Sequence, residues 1–287
     1  MTNQFDLKWL EDKTTFEITA TIPKKEIKKE YQTSLKLLAK NTTLPGFRKG
    51  KAPLPQVEQK LGKKAIYQQL IKRLIPQVYQ KAISEHQLKP IAEPKVTLTS
   101  AQENRDWVIK ITSCVLPEIK LGKYEQEVKK INAGTKIWTP GKDSQEPSPE
   151  EKKAQEQKRL SQILEKLNQT IKFELPSFLI ESELQKRMVS LIDQLQKTSL
   201  TIDQYLATKG QTIKQLRQEV RQQIETEWKL ELALEKIANQ EKIKIDQEEI
   251  NKIAKAEAKK KDVSPVNPYL LARFLRRQKT LEFLLNL

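Results

Sequence analysis

From Lys63 to Glu85 the apolar residues Ile66, Leu70, Leu74, Val78, Tyr79 and Ala82 recur every third or fourth position. That spacing lines one face of a helix and buries it against a neighbour. Such stripes dominate the chain. Ile27, Tyr31, Leu35 and Leu38 form one after Pro23, a residue suited to open a helix. Further on come Leu160, Ile163, Leu164 and Leu167, then Leu179, Ile180, Leu184, Met188, Leu191, Ile192 and Leu195. Ile213, Leu216, Val220, Ile224 and Trp228 make another, and Pro268 to Leu285 the last, with Leu270, Leu271, Phe274, Leu275, Leu281, Phe283 and Leu284. Only 7 of 287 residues are glycine, which disfavours a turn-rich all-β fold. A mean hydropathy of −0.67 suits an extended helical protein with much exposed surface.

Strand patterns sit only near the N-terminus. Phe5, Leu7 and Trp9 alternate with polar residues, as do Phe16, Ile18, Ala20 and Ile22. Val96 and Leu98 begin a third strand, and Trp107, Ile109, Ile111, Ser113 and Val115 make a fourth. Strands at both ends with helices between predict an α+β N-terminal domain, a small antiparallel sheet packed with long helices, over 1–116. Residues 117–147, with Pro117, Gly122, Gly134, Pro140, Gly141 and Pro147 and little periodicity, are expected to be a linker. An elongated all-α C-terminal domain with helical arms is expected over 148–287. Ser148-Pro149-Glu150-Glu151 opens it as an N-cap, with proline at the first helical position and carboxylates near the positive helix end. Thr201 and Asp203 introduce a short helix that Gly210 ends. Pro76 is expected to bend the helix that contains it. Ile243 and Ile245 precede a further helix with Ile250 and Ile253.

Between the first two helices lies Leu44-Pro45-Gly46-Phe47-Arg48-Lys49-Gly50-Lys51-Ala52-Pro53. Glycine reaches backbone angles other residues avoid, and proline fixes its own. The pattern predicts a tightly shaped loop that holds one aromatic and two cations away from the fold. Exposed Phe beside Arg and Lys is costly on a free surface and useful on a docking one.

The segment Gly46 to Pro53 resembles the signature of trigger factor, the ribosome-associated bacterial chaperone family. The resemblance continues through Gln56-Val57-Glu58-Gln59-Lys60-Leu61-Gly62 and a long helix leaving at Gln87-Leu88-Lys89-Pro90-Ile91-Ala92-Glu93-Pro94. It resumes at Phe173-Glu174-Leu175-Pro176-Ser177-Phe178-Leu179-Ile180-Glu181, and again at Leu200 to Leu206 and Leu216-Arg217. The resemblance implies docking at the ribosomal tunnel exit, on protein and rRNA, through Gly46, Phe47, Arg48, Lys49, Gly50 and Lys51. It implies helical arms that shelter unfolded or nascent polypeptides without ATP, and a homodimer off the ribosome. Leu184, Met188, Leu191, Ile224, Trp228 and Phe274 are the candidate client contacts, although most residues of these stripes are expected to be ordinary core. Trigger factors carry a prolyl isomerase domain of the FK506-binding-protein type where this chain has its linker. That barrel needs on the order of a hundred residues, so the domain is expected to be absent and the chain is not expected to be an enzyme. Trp138 stands alone there, outside any aromatic-lined pocket.

Charge supports a polyanionic partner. The first hundred residues carry 19 Lys and Arg against 9 Asp and Glu, residues 101–250 carry 25 of each, and 251–287 carry 9 against 3. Grouped cations attract phosphate through local field and counterion release. A basic RNA-binding or ribosome-assembly protein without client-holding activity is therefore the competing reading. A single cysteine, Cys114, lies in the fourth strand and excludes an internal disulfide; with one histidine, His86, a transition-metal or Ser-His-Asp site has no ligand set. No Gly-rich phosphate loop occurs, so no cofactor is expected. Glu181/Glu183, Glu248/Glu249 and Lys259-Lys260-Lys261 read as solvated surface. No signal-like N-terminus and no run of about eighteen apolar residues is present, so no membrane is expected and the cytoplasm is the expected location.

Overall fold

A computed structural model of the chain describes residues 4–134, 148–246, 248–250, 252–253 and 268–287. Residues 135–147 of the expected linker, Trp138 among them, and Lys259-Lys260-Lys261 lie outside the described residues. Two compact units emerge: one comprises the chain up to Leu116 with Pro176–Ser182, the other Pro117–Leu175 with Glu183 to the C-terminus.

The first unit is built on a four-stranded antiparallel sheet. Strand β1 (Gln4–Trp9) pairs with β2 (Thr15–Ile22), β2 with β4 (Trp107–Cys114), and β4 with β3 (Lys95–Ser100), giving the order β1-β2-β4-β3. The register explains the alternation read in the sequence. Phe16 faces Ser113, Ile18 faces Ile111 and Ala20 faces Ile109, so the apolar set of both central strands falls on one face. Helices α1 (Lys24–Asn41) and α2 (Leu54–Glu85) pack together as a hairpin. Leu70, Leu74, Val78 and Ala82 of α2 meet Phe16, Ile18, Trp107, Ile109 and Ile111 in one buried cluster. Cys114 is fully buried, and burial pushes its thiol up to about 12, so it is an inert core residue.

The departure from helical geometry in α2 is at Gly62, where φ is 75° and ψ is 153°. Pro76, where a bend is expected, lies inside the helix among residues that keep helical angles. The glycine turns the chain between the short segment beginning at Leu54 and the long stripe after Lys63.

The second unit is mainly helical in its described residues, with one isolated antiparallel bridge between Lys120 and Lys172. It holds α3 (Tyr124–Gly134), α4 (Pro149–Thr170), most of α5 (Ser177–Lys197), α6 (Ile202–Lys209), α7 (Ile213–Gln240) and α8 (Pro268–Leu285). Helix α3 corrects the expected linker. Tyr124 and Val128, one turn apart, are buried, and α3 packs on α4 and α8. Tyr124 donates to Glu241 at 3.0 Å and the Asn132 amide donates to the Leu284 carbonyl at 3.0 Å. Eleven residues with so short a stripe give little periodic signal. Three helices open on complete capping boxes: Ser148 with Glu151, Thr201 with Gln204 and Thr212 with Gln215. Gly210 ends α6 in the left-handed conformation, as its position predicts. Glu249 accepts from Lys279 at 2.6 Å, so this carboxylate is paired and not merely solvated.

Candidate docking loop

The tip between α1 and α2 is anchored at its base and bare at its end. Thr42 caps α1, its N–H donating to the Ala39 carbonyl at 3.2 Å and its hydroxyl to the Leu38 carbonyl at 2.8 Å. Leu44, Ala52 and Leu54 pack against buried Leu35, Ala39, Val57 and Ile66. Lys60 Nζ donates to the Thr43 carbonyl at 2.5 Å, and the Gly50 N–H donates to the Thr42 carbonyl at 3.3 Å. Both ends of the loop are thus tied to the hairpin that carries it.

Two turns follow each other between these ties. In the first, the Phe47 N–H donates to the Leu44 carbonyl at 3.1 Å around Pro45 and Gly46; in the second, the Lys51 N–H donates to the Arg48 carbonyl at 2.9 Å around Lys49 and Gly50. Gly46 has φ of 82° and Gly50 of 77°. A positive φ at the third turn position is the requirement of a type II turn, and proline at the second position favours it. Gly50 is constrained a second time: a Cβ there would stand 2.9 Å from the Lys40 carbonyl oxygen. At Gly46 a Cβ would meet nothing within 4 Å.

Phe47 is 38% exposed, and Arg48, Lys49 and Lys51 are exposed around it. None of these three cations forms an ion pair among the described residues. An apolar ring and uncompensated positive charge on a fixed backbone can supply apolar contact together with charge-assisted hydrogen bonds to carboxylate or phosphate.

The six candidate client residues scatter. Leu184, Met188 and Ile224 are buried, Ile224 completely, so they are core positions of the second unit and leave the set of surface contacts. Leu191 and Trp228 are half-buried, and Phe274 is 64% exposed. Other apolar side chains stand out in the same unit: Val189 and Ile192 on α5, Ile213 on α7, and Tyr269 and Leu270 on α8. Ile192, Ile213, Leu270 and Phe274 belong to stripes read in the sequence, whereas Val189 lies beside one, next to Met188, so stripe spacing alone does not separate covered positions from exposed ones. No group of three or more His, Cys, Asp or Glu that could hold a metal occurs among the described residues, and no described helix is long and apolar enough to cross a membrane.

Two family models match the chain: bacterial trigger factor protein (TF) over residues 4–136, and bacterial trigger factor protein (TF) C-terminus over residues 145–286. The trigger factors of Staphylococcus aureus strains JH9 and Newman are 40% identical to it over 108 residues. That match spans 38% of this chain and 25% of each relative, so the chain aligns with about a quarter of the length of these curated relatives. A solved structure from work on promiscuous substrate recognition in the folding and assembly activities of the trigger factor chaperone is similar with a TM-score of 0.58. That likeness covers 98% of this chain and 99% of the other at 15% identity, and it speaks for the fold alone. Only residues 137–144 separate the two matched segments. An isomerase barrel on the order of a hundred residues does not fit between them.

Proposed function

This chain belongs to the bacterial trigger factor family, and from that premise we propose that it is an ATP-independent holding chaperone that docks at the ribosomal tunnel exit. The observation that carries the reading is the outward tip Phe47-Arg48-Lys49, framed by two glycines in positive-φ turns and without an ion pair among the described residues. Phe47 places apolar contact on the docking surface. Arg48 and Lys49 pair with acidic side chains or phosphates there, and the basic first hundred residues add long-range attraction. Exposed apolar side chains of the second unit, among them Val189, Ile192, Leu270 and Phe274, meet unfolded or nascent polypeptides. The protein works in the cytoplasm, where ribosomes and new chains are.

Replacing Phe47, Arg48 and Lys49 together by alanine tests the docking. Loss of co-sedimentation with ribosomes at unchanged thermal stability is expected, and undiminished co-sedimentation would reject the role of the loop. The basic charge also favours the reading of an RNA-binding protein that holds no client. Suppression of aggregation of a denatured model protein separates the two, since only a holding chaperone shows it. The same chain is expected to leave proline-limited refolding unaccelerated, because residues 137–144 cannot supply an isomerase pocket.

A further inference from the structure

A recess of about 430 Å³ opens in the first unit, beside the α1–α2 hairpin and well away from the loop tip in sequence. Its size falls in the range of small-molecule sites, roughly 300–1,000 Å³. Tyr31, Tyr67 and Trp107 form its aromatic side, with ring centroids 5.1 Å apart for Tyr31–Tyr67 and 5.7 Å for Tyr67–Trp107. Trp107 is buried, whereas the two tyrosines are half-buried and reach the opening.

The rim is charged, and its charges are not equally available. Glu58 already accepts from the Tyr31 hydroxyl at 2.7 Å, and Glu103 from Lys63 at 2.6 Å. Asp106, just beside the rim, accepts from the Lys24 backbone N–H at 2.8 Å. The side chains of Lys24, Lys28 and Arg105, by contrast, have no ion-pair partner among the described residues. Gln32 and Asn104 add exposed amides. The lining therefore combines aromatic faces, spare cations and amide groups that both donate and accept. A nucleotide joins a flat base to a phosphate, and its base edge bonds to amides. A carboxylate-bearing peptide supplies the charge without the flat ring, and a cationic ligand meets the wrong sign.

We propose that this recess binds an unpaired nucleotide of single-stranded RNA, its base against Tyr31 and Tyr67 and its phosphate on Lys24, Lys28 and Arg105. Stacking on aromatic rings with cations along the backbone is how single strands are held without a fixed sequence. None of Gly46 to Lys51 lines the recess.

The test is fluorescence anisotropy of a labelled oligoadenylate titrated with the full chain. Because the whole chain is basic, the comparison is between charge-matched variants. Lys28→Ala with Arg105→Ala is expected to weaken binding about tenfold and to flatten the salt dependence by roughly 0.7 in log–log slope for each phosphate no longer neutralised. Lys36→Ala with Lys72→Ala, outside the recess, is expected to change affinity less than about twofold. Tyr67→Leu, which keeps apolar volume and removes the ring, is expected to cost about tenfold, in line with the loss of one base–aromatic stack. Equal weakening by both charge-matched pairs would overturn the proposal, leaving diffuse electrostatics. Loss through the triple alanine variant of the loop alone would overturn it too. So would displacement of the oligoadenylate by polyglutamate as readily as by unlabelled oligoadenylate.

Discussion

Gly46 and Gly50 share a backbone conformation and differ in what surrounds them, so the same substitution separates two causes of strain. Alanine at position 46 meets only the penalty of the left-handed region, about 1 kcal/mol. Alanine at position 50 meets that penalty and also a clash with the Lys40 carbonyl, which belongs to the rigid end of α1. Thermal unfolding is expected to show Gly50→Ala clearly more destabilising than Gly46→Ala; equal midpoints would mean that the loop relaxes freely and that its tip is not preset. A second residue-scale prediction concerns Asp12, in the turn between β1 and β2. Its Oδ1 accepts from the Thr15 and Thr14 N–H groups at 2.7 and 3.1 Å, and its Oδ2 from the Thr15 hydroxyl at 2.5 Å. Burial works to raise the carboxyl, but these hydrogen bonds outweigh it and hold Asp12 below its ordinary value. A group whose folded pKa is depressed stabilises the fold above its unfolded pKa, about 3.9, and loses that contribution as pH falls through the folded value. Asp12→Asn is expected to cost about 1 kcal/mol near neutral pH. The gap from the parent should close as pH falls below about 4. Unfolding midpoints measured across that range check the sign.

Helix ends explain how a chain with so few glycines manages its turns. Helix α2 closes with the Leu88 N–H on the Ile83 carbonyl at 3.0 Å, α5 with Leu200 on Leu195 at 2.9 Å, and α7 with Ile243 on Ala238 at 2.9 Å. Each is the wrap-around bond of a Schellman motif, whose left-handed residue is usually glycine. Here Gln87, Ser199 and Lys242 hold φ of 52°, 58° and 53°. Among the described residues, α6 uses glycine, at Gly210. Glycine at each of the three positions is expected to raise stability by up to about 1 kcal/mol, the relief of left-handed strain exceeding the added freedom of the unfolded chain. Unchanged or lowered midpoints in all three single variants would contradict that. This is also where reading the sequence falls short. Amphipathic stripes and strand alternation were legible because they are periodic, and the loop because glycine and proline punctuate it. The left-handed caps were silent because Gln, Ser and Lys carry no turn signal, and α3 because its buried face is two residues long. The loop's exposure was legible from residue types alone. The apolar surface of the second unit was not, since Ile192, Ile213, Leu270 and Phe274 share their stripes with buried residues and periodicity does not say which members are covered.

At the scale of the molecule, two kinds of binding energy are partly separated along the chain. Residues 1–100 and 251–287 both carry an excess of cations, whereas residues 101–250, which hold exposed Val189, Ile192 and Ile213, are neutral overall. Association with a polyanion weakens steeply with salt, because condensed counterions are no longer released to advantage. Apolar association does not weaken in this way, and strongly excluded salts strengthen it. The two proposed activities should therefore separate in one experiment without any mutation. Raising salt from about 50 to 200 mM is expected to lower ribosome co-sedimentation by tenfold or more, given several phosphate contacts, while suppression of aggregation of a denatured model protein holds or improves. The Phe47, Arg48 and Lys49 triple alanine variant should behave at low salt as the parent does at high salt. A parallel loss of both activities with salt would mean that clients are also held by charge. In that case the exposed side chains of Val189, Ile192, Leu270 and Phe274 would not suffice to hold them.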